Sequence, residues 1–374
     1  MMSAKKTEIK KTVSASHNGK ALIVGGYVIL EGFNGISMAL DSCCTVTCDG
    51  YTHESETCQI DCYSETFDEH WLYSVDNHDQ TFICNSLNKS ENKYLECCLQ
   101  ECLHYLIISN HYYYFNKIII NIYMNEGYYI YKQGKQCKSG IGSSSSLCVS
   151  LCHAFLQLHL SMYDNIVLNK RILLDIAYKA HGQAQGIAGS GFDIYTSIYG
   201  SCIFNTKLLN NNNTNAISHP SINLPPFFSL QLIHLYNSSS TSQMVKRMNN
   251  WKQYDYNQLL WKTYIDACAQ YISLFESNST DIQLYKAYSI NIINILYSIS
   301  KKSDIPVIPE QVKVYLDSLL SLDSIIAGGI LGAGGYDAFY VFRNNQIMSE
   351  SEFITFINNK YNDKLIVLPC KQMK

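Results

Sequence analysis

The chain has 374 residues, of which 47% are apolar and 16% charged, with a net charge of −3 and a pI near 6.4. Such a length and composition are typical of one large or two closely joined globular domains. They exclude proteins that bind nucleic acid through a strongly basic surface. No apolar run reaches the roughly 18 residues of a membrane span. We therefore expect neither nucleic acid nor membrane as a partner.

The fifteen cysteines bear on the cellular compartment. They are scattered through predicted helices and strands, as in Cys97-Cys98 and the Cys148/Cys152 pair. The first nineteen residues have no apolar segment of the kind found in signal peptides. Disulfides are rare in reducing compartments. We predict reduced thiols and a cytoplasmic protein.

The N-terminal half predicts alternating strands and helices. Residues 1–17 are expected to be a flexible tail. The apolar run 19–30 contains Gly25-Gly26, which predicts a strand, a tight turn and a second strand. Lys20 stands at the entrance of this buried strand; taken alone, a lysine that extends its charge to the surface is the favoured interpretation. Further strands are predicted at 35–49, 81–87 and 117–124, with a helix at 91–108.

The Gly/Ser-rich loop Lys138–Ser146 is the most informative segment. Apolar residues at helical spacing follow it and predict a buried helix that begins near Ser143. The unpaired N–H groups and positive dipole end of that helix would face the loop. Gly140 and Gly142 allow the backbone to close around an anion, and Lys138 adds positive charge. From this segment alone, a phosphate-binding loop and a capped helix after a linker are about equally supported.

Two known phosphate-binding loops do not fit this segment. A Walker A loop needs Gly-x4-Gly-Lys-Ser/Thr, which is not present here. A Rossmann fingerprint fits poorly, because Ser145 replaces the third glycine and residues 135–138 are not predicted to be a strand.

The second half of the chain predicts several long helices. Residues 170–185 read as a helix that leads into a glycine-rich turn with Ser190 and Asp193, and an aspartate after glycine most often caps a helix. Residues 208–226 include the Asn-rich run 210–213 and are interpreted as an inserted loop. The remaining predictions are a strand at 227–236, a capped helix start at 238–247, helices at 242–277, 281–300 and 309–320, and two strands around a glycine turn within 325–341.

Four motifs together resemble those of the GHMP kinase superfamily in order and approximate spacing. They are Gly-Lys20-Ala-Leu-Ile-Val-Gly-Gly-Tyr27, Lys138-Ser-Gly-Ile-Gly-Ser-Ser144, Gly189-Ser-Gly-Phe-Asp193 and Gly332-Ala-Gly-Gly-Tyr-Asp337. The resemblance covers roughly residues 18–343. Within the superfamily, the segments 184–193 and 305–311 look like those of the eukaryotic type of phosphomevalonate kinase.

The resemblance implies an α+β fold with two domains. Residues 18–205 would form the N-terminal ATP-binding domain, of the ribosomal S5 domain 2-like type, and residues 206–374 a ferredoxin-like C-terminal domain. The implied reaction transfers the γ-phosphoryl group of ATP, with Mg²⁺, to (R)-5-phosphomevalonate, giving 5-diphosphomevalonate and ADP in the mevalonate route to isoprenoids. The protein would act as a monomer or homodimer.

The resemblance also implies roles for individual residues, and makes the surface-lysine and cap interpretations the less favoured ones. Lys20 and Asp193 match the catalytic lysine and aspartate, and Asp193 would mainly orient Lys20 and the acceptor. Ser144 matches the serine that contacts Mg²⁺. The ATP phosphates would be held by Lys138, Gly140, Ile141, Gly142, Ser143, Ser144 and Ser145. The candidates for substrate binding are Ser190, Gly191, Ser240, Thr241, Lys246 and Gly334, with Arg247 as an alternative to Lys246.

Two departures from the superfamily pattern are visible. The loop ends in Ser143–Ser146 where the family usually has Ser-Ser-Ala-Ala, and Ala177 stands where mevalonate kinases place a metal-binding glutamate. Three other functions stay open: mevalonate kinase or another GHMP kinase activity, a non-catalytic metabolite sensor on the same fold, and a scaffolding protein in which the serines only cap a helix.

Overall fold

The computed structural model describes residues 10–52, 58–78, 81–86, 91–132, 135–164, 166–186, 189–209, 221–235, 240–362 and 364–373. These residues form two compact units. Unit 1 takes in the described residues of Met1–Gly19, Cys43–Asn125 and Ser143–Ile198, and unit 2 those of Lys20–Ser42, Glu126–Gly142 and Tyr199–Lys374. The predicted α+β class is confirmed, while the domain division after residue 205 stays a prediction.

Unit 1 contains a mixed sheet. The strands that contribute to it are β1 (Lys10–Val24), β2 (Gly35–Tyr51), β3 (Cys58–Ser64), β4 (Glu69–His78), β5 (Thr81–Ser86) and β6 (Lys117–Met124). Their order is β1-β2-β6-β3-β4-β5. Strand β6 pairs antiparallel with β2 and parallel with β3, and β3, β4 and β5 are antiparallel neighbours. In the unit 1 part of β2 buried and partly exposed residues alternate, as expected when a sheet is covered on one face.

The first half of β1 differs from the predicted tail. Residues 10–17 are extended in β1, so the tail prediction does not hold for them; residues 1–9 lie outside the described residues. The Ser16 hydroxyl lies 2.6 Å from that of Thr45 on β2, and the Ser14 hydroxyl lies 3.1 Å from that of Thr47. Such cross-strand pairs stabilise a strand whose sequence is polar.

The helices of unit 1 follow the predicted pattern. They are α1 (Lys93–Ile108), α2 (Ser143–Leu160), α3 (Lys170–Gln185) and α4 (Phe192–Tyr199). The predicted helices at 91–108 and 170–185, and the predicted start at Ser143, are confirmed. Helix α2 contacts α1 and α3, and its Ser150 hydroxyl donates a 2.7 Å hydrogen bond to the Cys44 carbonyl of β2. Its residues are buried on nearly every side, which fixes the position of its N-terminus.

Unit 2 contains a four-stranded antiparallel sheet in the order β11-β12-β10-β13, and a two-stranded ribbon of β7 and β8. The strands are β7 (Tyr129–Lys132), β8 (Lys135–Lys138), β9 (Cys202–Phe204), β10 (Phe228–His234), β11 (Ile325–Ile330), β12 (Ala338–Asn344) and β13 (Ile366–Val367). Strand β9 pairs with the start of β2. The predicted strands at 227–236 and within 325–341 are confirmed.

The helices of unit 2 pack partly on this sheet. They are α5 (Thr241–Trp251), α6 (Asp255–Glu276), α7 (Ile282–Ser303), α8 (Glu310–Leu320) and α9 (Glu350–Tyr361). Helices α7 and α8 contact β11. The predicted helices at 281–300 and 309–320 are confirmed, but the predicted stretch 242–277 is interrupted between α5 and α6.

The predictions for three further segments, 19–30, 135–138 and 210–213, compare differently with the structure. The second strand predicted within 19–30 is instead a short 3-10 helix, Val28–Glu31, because Gly25 (φ 94°) and Tyr27 (φ 70°) turn the chain before it. Residues 135–138, expected not to form a strand, are β8 and pair with β7. The Asn-rich run 210–213 lies outside the described residues.

The described cysteines are free thiols, most of them buried. Cys98 and Cys102 of α1 and Cys148 and Cys152 of α2 are fully buried. Within the described part of the chain, no helix is both long enough and apolar enough to cross a bilayer.

Candidate active site

The loop between β8 and α2 presents an open backbone surface in unit 2. Gly140 (φ 81°) and Gly142 (φ 88°) adopt the left-handed conformation that glycine tolerates best. Gly140 is exposed, and a Cβ atom at this position would meet no other atom within 4 Å. The loop is anchored by buried Ser139, whose backbone N–H and hydroxyl both donate to the Tyr128 carbonyl at 3.0 Å. The open side at Gly140 could therefore receive a ligand without moving the anchor.

Lys20 contacts this loop within unit 2. Its backbone N–H donates a 2.8 Å hydrogen bond to the Ile141 carbonyl, and its Nζ lies 3.4 Å from the Gly140 carbonyl. The structure thus brings together the predicted catalytic lysine and part of the predicted ATP loop. Lys138, the last residue of β8, is also exposed.

The glycine turn after β11 packs against the end of β1 in unit 2. The Gly332 N–H donates to the Leu22 carbonyl at 3.0 Å, and the Tyr27 hydroxyl donates to the Ala333 carbonyl at 2.6 Å. A Cβ at Gly26 would lie only 1.9 Å from the Gly332 carbonyl oxygen. This close backbone approach explains the glycine at position 26.

Gly334, a predicted substrate residue, has a packing role in the same turn. It is buried with φ 77°, and a Cβ there would lie 2.2 Å from the Val307 carbonyl oxygen. Gly332 is different, because a Cβ at that position would meet nothing within 4 Å. In this turn, the space beside the backbone is therefore free at the Gly332 Cα.

Unit 1 brings together Ser144, His181 and Asp193, which we name the serine–histidine–aspartate cluster. Ser144 lies in the first turn of α2, and its Oγ is 3.1 Å from Nε2 of His181 on α3. His181 is 5% exposed. Its Nδ1 lies 3.9 Å from Oδ2 of Asp193 on α4. Three helices of unit 1 each contribute one member.

Two further side chains complete the polar surroundings of His181. The Gln185 Nε2 lies 3.1 Å from His181 Nε2, one helical turn further along α3. The Tyr94 ring lies 5.9 Å from the His181 ring, centroid to centroid. Burial raises the pKa of the Tyr94 hydroxyl, and hydrogen bonds with Gln185 and Ser144 oppose that rise. Reasoning from the sequence missed the roles of these neighbours and of His181; the i, i+4 spacing of His181 and Gln185 was the available signal.

Asp193 lies inside the first turn of α4 rather than at its cap. Its Oδ1 accepts a 3.0 Å hydrogen bond from the Ile194 N–H, and an acidic residue in this turn also complements the helix dipole. Gly191 (φ 75°) is buried and its carbonyl accepts from the Tyr195 N–H. The half-buried Ser190 lies beside it.

The remaining predicted residues have varied surroundings. Ile141 and Ser145 bury their side chains, whereas Ser143 is half-buried. In unit 2, Ser240, Thr241 and Lys246 are exposed at or near the start of α5. The Arg247 guanidinium donates a 2.6 Å hydrogen bond to the Asp304 carbonyl, so it is engaged at the end of α7.

The residues fit a nucleotide with a divalent cation. A glycine loop that leads into the N-terminus of an 18-residue helix is suited to phosphate groups. The Ser144 hydroxyl is a hard oxygen donor, the type that Mg²⁺ prefers. Open space at Gly140 leaves room for a phosphate.

Comparison with known proteins gives a family for part of the chain. Residues 116–201 match the family model described as GHMP kinases N terminal domain. A curated protein of Aspergillus fumigatus named phosphomevalonate kinase is 28% identical over 241 residues, which cover 54% of this chain and 49% of the relative. The chain spans about half the length of the curated relatives it matches.

Solved structures share the fold. The Lin0012 protein of Listeria innocua aligns with a TM-score of 0.70 at 16% identity, covering 97% of this chain and 98% of that one. The phosphomevalonate kinase of Streptococcus pneumoniae, solved with phosphomevalonate and AMPPNP, aligns with a TM-score of 0.64 at 17% identity, covering 96% and 100%. The GHMP kinase fold expected from the sequence is confirmed.

Proposed function

We propose that this chain, which carries a GHMP kinase N-terminal domain, is a phosphomevalonate kinase that phosphorylates (R)-5-phosphomevalonate with ATP. The observation that carries the kinase assignment is the contact of Lys20 with the open glycine loop at Gly140 and Ile141. The similarity to a fungal protein named phosphomevalonate kinase supports the choice of acceptor. The protein acts in the cytoplasm, as a monomer or a homodimer.

The loop residues and the first turn of α2 hold the ATP phosphates in this proposal. The backbone at Gly140–Gly142 closes on the anion, while Lys138 adds charge and Ser143 and Ser144 add hydroxyl groups. Ser144 also provides an oxygen ligand to Mg²⁺. ATP supplies the phosphoryl group, and Mg²⁺, when bound, would neutralise part of the negative charge of its phosphates.

Lys20 stabilises the charge that builds up during transfer. Donor and acceptor are both phosphate anions, so their mutual repulsion must be offset. A bond forms between an oxygen of the acceptor phosphate and the γ-phosphorus, and the bond from that phosphorus to the β,γ-bridging oxygen breaks. Lys20 lies beside the loop that holds ATP, and its positive charge offsets the negative charge of the γ-phosphate and of the acceptor phosphate.

Asp193 orients the acceptor rather than removing a proton. A phosphomonoester has a second pKa near 6 and is largely dianionic at pH 7, so it needs almost no deprotonation before it attacks. Contacts to the rest of the acceptor are assigned to Ser190, Gly191, Ser240, Thr241, Lys246 and Gly334. Gly334 has no side chain and donates its N–H to the Leu331 carbonyl, so its own carbonyl is the group assigned to the acceptor site.

An acceptor panel tests this proposal. Purified protein is given Mg²⁺ and ATP with mevalonate, 5-phosphomevalonate or 5-diphosphomevalonate, and ADP release is followed by a coupled assay. We expect turnover with 5-phosphomevalonate alone, and its loss in Lys20→Met. Turnover with mevalonate would instead indicate a mevalonate kinase. Tight ATP binding without turnover of any acceptor would indicate a metabolite sensor.

A further inference from the structure

His181 of unit 1 joins two residues that have separate tasks in the proposed reaction. Its Nε2 lies 3.1 Å from the Ser144 Oγ, and its Nδ1 lies 3.9 Å from the Asp193 Oδ2. The imidazole is 5% exposed, so its surroundings fix its position. We propose that His181 is a positioning residue whose two ring nitrogens orient the Ser144 hydroxyl toward the metal–nucleotide and the Asp193 carboxylate toward the acceptor. This inference rests on the proposed function.

The neighbours of the ring select one neutral tautomer. The Gln185 amide nitrogen, 3.1 Å from His181 Nε2, can only donate, so Nε2 must accept. The ring proton of the neutral imidazole is then on Nδ1, the nitrogen that faces the Asp193 carboxylate. The Nδ1–H is the positive edge of the ring and attracts that carboxylate.

The same tautomer orients the serine. Nε2 shares its one lone pair between the Gln185 amide and the Ser144 hydroxyl, whose hydrogen points toward the ring, so the serine oxygen lone pairs remain available to a cation. A serine in the first turn of a helix could otherwise rotate its hydroxyl toward nearby backbone groups. A hydrogen-bond partner of this kind holds a ligand in the geometry that a metal requires.

The position of the cluster within unit 1 makes His181 suitable for this role. Helices α2 and α3 contact each other, and α3 is fixed at its start by the Asn169 side chain, which accepts from the Arg171 N–H at 2.7 Å. The His181 ring also lies against the Tyr94 ring, tilted 35° from its plane. Packing therefore imposes its orientation.

Two substitutions separate the tasks of the two nitrogens. His181→Asn keeps a polar atom near the Nδ1 position but loses the contact with Ser144, whereas His181→Gln keeps one near Nε2 but loses the contact with Asp193. Calorimetric titration with AMPPNP, with and without Mg²⁺, measures the affinity gained through the metal. We expect His181→Asn to reduce this gain about tenfold and to leave the metal-free affinity little changed. In His181→Gln we expect the gain to stay near that of the unsubstituted protein, while kcat falls about tenfold.

A double-mutant cycle with Ser144→Ala tests whether His181 acts through the serine. We expect the losses of metal-dependent affinity from Ser144→Ala and His181→Asn to be strongly non-additive. Additive losses, or an equal weakening of AMPPNP binding with and without Mg²⁺, would overturn the proposal. Neither titration uses the acceptor, so the result can be read even if 5-phosphomevalonate proves not to be the substrate.

One measurement needs no variant. In protein labelled with ¹⁵N-histidine, the chemical shifts of the two ring nitrogens of His181 report which one carries the proton. The proposal requires the proton of the neutral ring on Nδ1, and observation of the Nε2–H tautomer would refute it even if the substituted proteins do not fold.

Discussion

A half-buried pair of histidines in unit 1 should make the protein sensitive to acid. The Nδ1 of His17 lies 3.0 Å from the Ser197 carbonyl oxygen, and its Nε2 lies 2.8 Å from Nδ1 of His153. The carbonyl can only accept, so His17 donates from Nδ1 and accepts from His153 at Nε2. Burial is the main cause that lowers the pKa of His17 to about 4, with a smaller contribution from the repulsion of His153.

The direction of the effect follows from the two protonation equilibria. The unfolded chain has an ordinary histidine pKa of 6.5, and the folded value is about 4, so the unfolded state binds more protons between these values. The contribution of neutral His17 to stability is complete above pH 6.5 and is lost progressively as the pH falls toward 4. Between pH 7.5 and pH 5 this loss is about 2 kcal/mol.

Urea unfolding at pH 7.5 and pH 5 measures this loss. In His17→Asn the amide can still donate to the Ser197 carbonyl, but it does not titrate. We expect the unfolding free energy of this variant to fall by about 2 kcal/mol less than that of the unsubstituted protein over the same interval. The matched control is His70→Asn, at an exposed position on β4, which should follow the unsubstituted protein. An identical loss in His17→Asn and the unsubstituted protein would refute the reasoning.

Further predictions concern the site and the glycine turn. Lys20→Met should reduce kcat/KM for 5-phosphomevalonate more than Asp193→Asn does, because the dianionic acceptor needs charge stabilisation more than a base; an equal or larger loss in Asp193→Asn would contradict this. Gly26→Ala should lower the unfolding free energy by about 1–3 kcal/mol or more, since its Cβ would lie 1.9 Å from the Gly332 carbonyl oxygen. The control Gly189→Ala, whose Cβ would meet nothing within 4 Å, should stay within about 0.5 kcal/mol. Equal urea midpoints for the two alanine variants would refute the packing argument.

The elements with a strong periodic pattern could be predicted from the sequence. Helices α2 and α3 have apolar residues at helical spacing, and both begin at the predicted residues, Ser143 and Lys170. Strand β6 matches its prediction as well, because its isoleucines mark a buried strand. These elements hold Ser144 and His181, so much of the cluster's framework was predictable.

Elements that depend on tertiary partners could not be predicted. The first half of β1 is polar, and its pairing with β2 is what makes it a strand. Residues 27–30, the end of the apolar run 19–30, have the apolar character of a strand, but Gly25 and the positive φ of Tyr27 redirect the chain. The contact of His181 with Ser144 depends on how α2 and α3 pack, and no local pattern contains that information.

The identity of the reaction product tests the central claim most directly. Protein, Mg²⁺, ATP and 5-phosphomevalonate are incubated and followed by ³¹P NMR. The proposed phosphomevalonate kinase activity predicts that the phosphomonoester signal is replaced by two coupled signals of a diphosphate ester, with ADP formed in equal amount. An unchanged phosphomonoester signal, with inorganic phosphate as the only new species besides ADP, would contradict it.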